Sequence, residues 1–127
     1  MFIQIEPASE TPIYTQLTNQ LIELIAKGQL KAGDTLPSVR ALASDLSVNM
    51  HTVNKSYHEL EQKGIVRIVP KSGAVINPIV QHGITDENQL RMTVRLKPLI
   101  AEASVLGMSA KEIQQLVASI LNSFKEV

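Results

Sequence analysis

Two short helical periods a tight turn apart constrain this chain more than any other feature of it. In the first, Val39, Leu42, Ala43 and Leu46 recur at helical spacing behind Ser38, whose hydroxyl can cap a helix start. In the second, Asn49 holds the capping position, and Met50 or Val53, Tyr57 and Leu60 form the apolar side. This predicts a helix-turn-helix. On the opposite side of the second helix, His51, Asn54, Lys55 and His58 recur at i, i+3, i+4 and i+7. All four can donate hydrogen bonds and none is acidic. Such a stripe suits the major groove, where guanine presents O6 and N7 as acceptors and phosphates line the walls.

The stretch after the second helix reads as a wing. Gly64 can take the left-handed conformation that ends a helix, and the β-branched run Ile65 to Val69 predicts a strand. A second strand is expected over Ala74, Val75 and Ile76, with Pro70-Lys71-Ser72-Gly73 as the turn between them. Lys71 at the tip and the small backbone of Ser72 and Gly73 can lie against a sugar-phosphate chain or in a minor groove.

Ahead of the motif, Thr11 is expected to cap a helix with Pro12 at its first position, an apolar side of Tyr14, Leu17, Leu21, Leu24 and Ile25, and an end at Gly28. It would supply the third core helix. Thr35 and Leu36 are expected to add a short strand beside the wing, and Met1 to Glu10 a weakly alternating strand or a tail.

The ordered set Pro12-Ile13-Tyr14, Gly28-Gln29-Leu30 with Gly33, Leu36-Pro37-Ser38 with Arg40, Val48-Asn49 with Thr52-Val53, Tyr57 with Leu60-Glu61, and Gly64 with Gly73 resembles the DNA-binding domain of GntR-family bacterial transcription regulators. The resemblance spans about residues 10 to 77, and so long a set is more specific than any short motif. It implies that Arg40 contacts the phosphate backbone and that the start of the recognition helix reads bases. Many members carry an arginine just inside that helix. Here Met50 occupies the place and His51 follows it, so the base preference of those relatives does not transfer.

The expected interface is therefore Asn49, Met50, His51, Thr52 and Asn54 toward bases, with Ser38, Arg40, Lys55, His58, Arg67, Lys71, Ser72 and Gly73 toward phosphates or on the wing. The partner is double-stranded DNA.

Residues 78–84 contain two helix-unfriendly positions and no clear period, and read as a linker between a winged helix-turn-helix domain over 1–77 and a helical region over 85–127. Thr85, with Asp86 and Glu87, starts a helix that runs through Leu90, Val94, Leu96, Leu99, Ile100, Ala103 and Leu106 to Gly107, with a bend expected at Pro98. Ser109 to Glu112 is a capping box, and Ile113, Leu116, Val117, Ile120, Leu121 and Phe124 follow at helical spacing. Two such helices of unequal length cannot bury both stripes against each other, so these residues, with Leu99, are expected to form a homodimer interface. A winged helix with about 50 further residues of paired helices resembles the YtrA-type subfamily. That likeness implies homodimers whose genes often accompany those of ABC transporters. The architecture expected is thus mainly α with a small β wing and a two-helix dimerisation appendage.

Composition agrees. A domain near 60 residues buries only about 60% of its unfolded surface, so association would help a 127-residue chain built this way. Twelve cationic and twelve anionic side chains cancel overall. Between residues 36 and 73, however, Arg40, Lys55, Lys63, Arg67 and Lys71 outnumber Asp45, Glu59 and Glu61 by two. That modest excess calls for the doubled phosphate contacts of a dimer. With no cysteine, disulfides and thiolate sites are excluded. No apolar run approaches the roughly 20 residues of a membrane span and the start lacks a signal peptide's basic region, so a cytoplasmic protein is expected.

The material for an enzyme is poor. His51 and His58 lie two helical turns apart, and His82 with Asp86 lacks a nucleophile or phosphate cradle, so no catalysis, metal or cofactor is expected. The expected function is a sequence-specific transcription regulator, acting as a repressor on an inverted-repeat operator, with its effector unspecified. A winged helix serving protein contacts without DNA is the alternative.

Overall fold

The computed structural model describes residues 1–78 and 83–125. It divides the chain into two units, Met1–Ile79 and Val80–Val127. Part of the expected linker, 79–82 with His82, lies outside the described residues, as do 126–127.

The first unit runs α1 (Ile13–Ala26), β1 (Thr35–Leu36), α2 (Val39–Leu46), α3 (Met50–Gln62), β2 (Val66–Val69) and β3 (Gly73–Ile76). The strands form an antiparallel sheet in the order β1-β3-β2, with Thr35 opposite Val75 and Arg67 opposite Val75 from the other side. Leu17, Leu21, Leu36, Leu42, Val53, Tyr57, Leu60 and Val66 are buried where the three helices meet the sheet. Val53 thus takes the core position, and Met50 is left 44% exposed. Burial of this apolar set is the main favourable term in folding.

At the crossing of α1 and α3 the core admits two hydroxyls. Thr18 Oγ1 donates to the Tyr14 carbonyl at 2.8 Å, and Ser56 Oγ lies 2.8 Å from Thr18 Oγ1. Both are fully buried, so their mutual bond offsets the desolvation that small polar groups incur there.

The helix starts differ from expectation at one place. Pro12, not Thr11, is the α1 cap, and it has no side-chain cap bond. Its extended backbone (ψ 146°) holds Thr11 one residue too far out, and the Thr11 carbonyl instead accepts from Gln16 Nε2 at 2.8 Å. The first ten residues form no strand. Gln20 holds the Gln4 backbone with two bonds, accepting from the Gln4 N–H at 2.8 Å and donating to the Gln4 carbonyl at 2.6 Å. Gln16 grips Glu6 in the same manner at 2.9 and 3.0 Å. Two α1 glutamines thus do for this tail what a neighbouring strand would do, while Ile3 and Ile5 pack on the core.

The second unit holds α4 (Asp86–Val105) and α5 (Ala110–Ser123). Thr85 caps α4 by accepting from the Asn88 N–H, and α4 continues through Pro98 without a break. Gly107, at φ +106°, closes it: its N–H reaches the Ser104 carbonyl and that of Met108 the Ala103 carbonyl. Ser109 and Glu112 then form a complete capping box on α5. Neither helix has a buried residue.

Candidate nucleic-acid interface

The site is built on two helix starts held at a fixed separation. Ser38 Oγ accepts the Ala41 N–H at 3.1 Å, which fixes the first turn of α2 and leaves Arg40, its second residue, exposed. Ser47 then turns the chain in a left-handed conformation (φ 55°, ψ 43°), and the Val48 N–H closes on the Ala43 carbonyl at 3.0 Å. Asn49 Oδ1 accepts the His51 N–H at 2.8 Å and starts α3 two residues after that turn. From inside, the fully buried Tyr57 donates its hydroxyl to the Pro37 carbonyl at 2.7 Å, locking α3 to the approach of α2.

Met50, His51, Asn54, Lys55 and His58 are exposed, and Thr52 is half-buried. A groove of about 420 Å³ separates the starts of α2 and α3 from the wing. Arg40, Met50 and Asn54 line its helical wall, and Ile68, Pro70 and Lys71 its wing wall. A more open depression is lined by Val39, Asn49, Met50, His51 and Asn54. Every residue lining either one is neutral or cationic. An anionic polymer therefore meets no opposing charge there.

The wing is drawn up to the end of β1 and Pro37, just ahead of α2, by a close approach that only glycine allows. Gly73 has φ +105°, and a Cβ on it would stand 2.8 Å from the Pro37 carbonyl oxygen and closer still to that of Leu36. Lys71, at φ 67°, leads the exposed tip, and the Ser72 N–H bonds the Val69 carbonyl at 3.0 Å.

Lys55, Arg67 and His58 line neither depression, while Asn49 and Gly73 also have structural parts to play. Lys55 Nζ sits 4.0 Å from the centroid of the Tyr14 ring, so its charge is drawn back onto α1. Arg67 is exposed and lines neither depression, although Val69 on the same face of β2 lines the groove. Gly73 is buried, closes the wing and lines the groove beside Lys71. His58 is exposed further along α3 and lines neither depression. The Asn49 amide oxygen is already engaged by the cap. Helical spacing assigns Val39 to the core, yet it also lines both depressions, as the first residue of α2. Pro70, by sequence only a turn former, joins the wing wall of the groove. Tyr14 as the partner of Lys55 had no sequence signal, because the two are remote in the chain.

Among the described residues, no group of three or more His, Cys, Asp or Glu side chains is arranged to hold a metal ion, and no helix is long and apolar enough to cross a membrane.

Residues 13–76, the stretch that builds this interface, match the family described as bacterial regulatory proteins, gntR family. The chain belongs to the GntR family. Along 118 residues it is 37% identical to the HTH-type transcriptional repressor YtrA of Bacillus subtilis (strain 168), covering 93% of this chain and 91% of that protein. Among solved structures, the GntR-family transcription factor YtrA from Sulfolobus acidocaldarius is similar at 41% identity and TM-score 0.58, covering 95% of this chain and 97% of its own. A protein described as a transcriptional antiterminator from Listeria monocytogenes EGD-e is similar at 28% identity and TM-score 0.88, covering 98% and 92%. The YtrA likeness extends through both units, so this GntR chain shares the short helical region as well as the winged helix.

Proposed function

We infer that this chain represses transcription by binding an inverted-repeat operator as a homodimer. As a GntR-family protein it is a DNA-binding transcription regulator with a winged helix-turn-helix. The observation that carries the finer reading is the pairing of a carboxylate-free groove in the first unit with uncovered apolar side chains in the second. The groove brings Arg40 and Lys71 to opposite walls of a space opened by Met50 and Asn54. On this reading Arg40, Ser38, Lys71 and Ser72 hold phosphates, while Met50, His51, Thr52 and Asn54 face base edges. His58 and Arg67 contribute at longer range, through the local field.

In the second unit Leu99, Leu116, Val117, Ile120 and Leu121 are exposed, and Ile113 and Phe124 are half-covered. A soluble monomer rarely leaves so contiguous an apolar surface open. A second copy of the same helices supports the reading, because a two-fold pair presents two winged helices to two half-sites about 10 base pairs or more apart. The domain division proposed is 1–77 for DNA and 85–127 for pairing, with 78–84 between them. The protein so read acts in the cytoplasm and has no catalytic role. Repression is favoured over activation by the likeness to a repressor along nearly the whole chain.

A gel shift against DNA upstream of its own operon, at two salt concentrations, tests the reading. Specific retardation with a steep salt dependence is expected. Equal affinity for operator and scrambled DNA would remove the sequence-specific operator, and no retardation of either would leave a winged helix that serves protein contacts.

A further inference from the structure

Of the residues on the recognition helix, only Met50 and Asn54 line both depressions of the interface. Met50 is the first residue of α3 and is 44% exposed, an apolar side chain set where a charged one would be better solvated. Asn54 is exposed one turn further on, and its amide is not engaged by the helix cap as that of Asn49 is. Four residues of helix advance about 6 Å, less than two base-pair steps of about 3.4 Å, so on a helix laid along the groove the two side chains would fall at neighbouring base pairs. In the major groove only thymine offers a methyl group to an apolar side chain, and only adenine offers the N6 and N7 pair that a carboxamide matches.

We propose that Met50 and Asn54 together read an A·T-containing step in each half-site, Met50 against a thymine methyl and Asn54 against an adjacent adenine. This rests on the DNA-binding reading above and assigns its base chemistry. The flanking cations Arg40 and Lys71 hold the duplex across the same groove but have no part in this choice.

The test begins with selection of binding sites from random duplex DNA by the full chain. Each selected thymine is then replaced singly by deoxyuridine, which removes the C5 methyl and nothing else. At one thymine per half-site the replacement should weaken binding about fourfold, the effect of burying a single methyl group. Met50→Ala should bind the two duplexes equally, and Met50→Leu should restore the difference. Asn54→Ala should lose a preference for adenine of about fivefold or more at the neighbouring pair. Selected sites at which the wild type and Met50→Ala respond alike to every deoxyuridine would overturn this inference while leaving the protein a DNA reader. Failure to enrich any DNA sequence would overturn the proposed function, and this inference with it.

Discussion

The Tyr57 hydroxyl donates a 2.7 Å hydrogen bond to the Pro37 carbonyl, joining the middle of the recognition helix to the residue ahead of the α2 cap. Burial holds the phenol well above its ordinary value of 10.0, so the folded state favours the neutral form. A raised value gives stability that is complete below pH 10.0 and is lost as pH rises past it. Tyr57→Phe should cost about 1 kcal/mol near neutrality by leaving a partly buried carbonyl without its partner. Urea unfolding at about pH 9 and about pH 11 should then show a smaller alkaline loss in Tyr57→Phe than in the wild type. Identical losses in the two proteins would remove Tyr57 from this role.

Ser47 occupies a left-handed conformation that costs a non-glycine residue about 1 to 2 kcal/mol. Because it is exposed, Ser47→Gly should stabilise the protein by about 0.5 to 1 kcal/mol in thermal or urea unfolding. Gly73→Ala should do the reverse, by about 2 kcal/mol or more, because its Cβ would meet the Leu36 and Pro37 backbone rather than a side chain able to yield. A stabilised Gly73→Ala would show that the wing does not sit against Leu36 and Pro37.

Arg40 and Lys55 should separate in a salt titration. Arg40 is exposed in the groove, and Arg40→Ala should lower the slope of log affinity against log salt by about one while leaving base preference unchanged. With its ammonium over Tyr14, Lys55 should change the slope less on replacement by alanine, and lose about 0.5 to 1 kcal/mol of stability instead. Equal slopes for the two variants would mean that Lys55 leaves Tyr14 to meet phosphate.

Leu116 and Ile120 are each 49% exposed on α5. Replacing both with aspartate would set unpaired charges in the proposed interface, at a cost of several kcal/mol. Light scattering at micromolar concentration should find a dimer in the wild type and a monomer in the double variant. A wild type that is monomeric there would end the pairing role of the second unit.

The helices, caps and wing were legible because they are local: Ser38, Asn49, Thr85 and Ser109 each act within three residues of themselves. The features that escaped depend on contacts between distant segments. Nothing near Lys55 in sequence points to Tyr14, and nothing near Gln4 points to Gln20. Thr18 and Ser56 look like polar interruptions of two apolar stripes until the helices cross and each becomes the other's partner. In the site, the exposed donor stripe was readable from helical periodicity. The groove was not, because its second wall arrives only when Gly73 brings the wing against Pro37.

The absence of any buried residue in α4 or α5 has a consequence for control. Where these helices pair as proposed, the paired species grows with the square of the chain concentration while single chains predominate. Halving the supply of chain would then leave about a quarter of the operator-competent form. Abundance itself becomes a signal, and synthesis and turnover set a threshold that a single self-contained domain would lack.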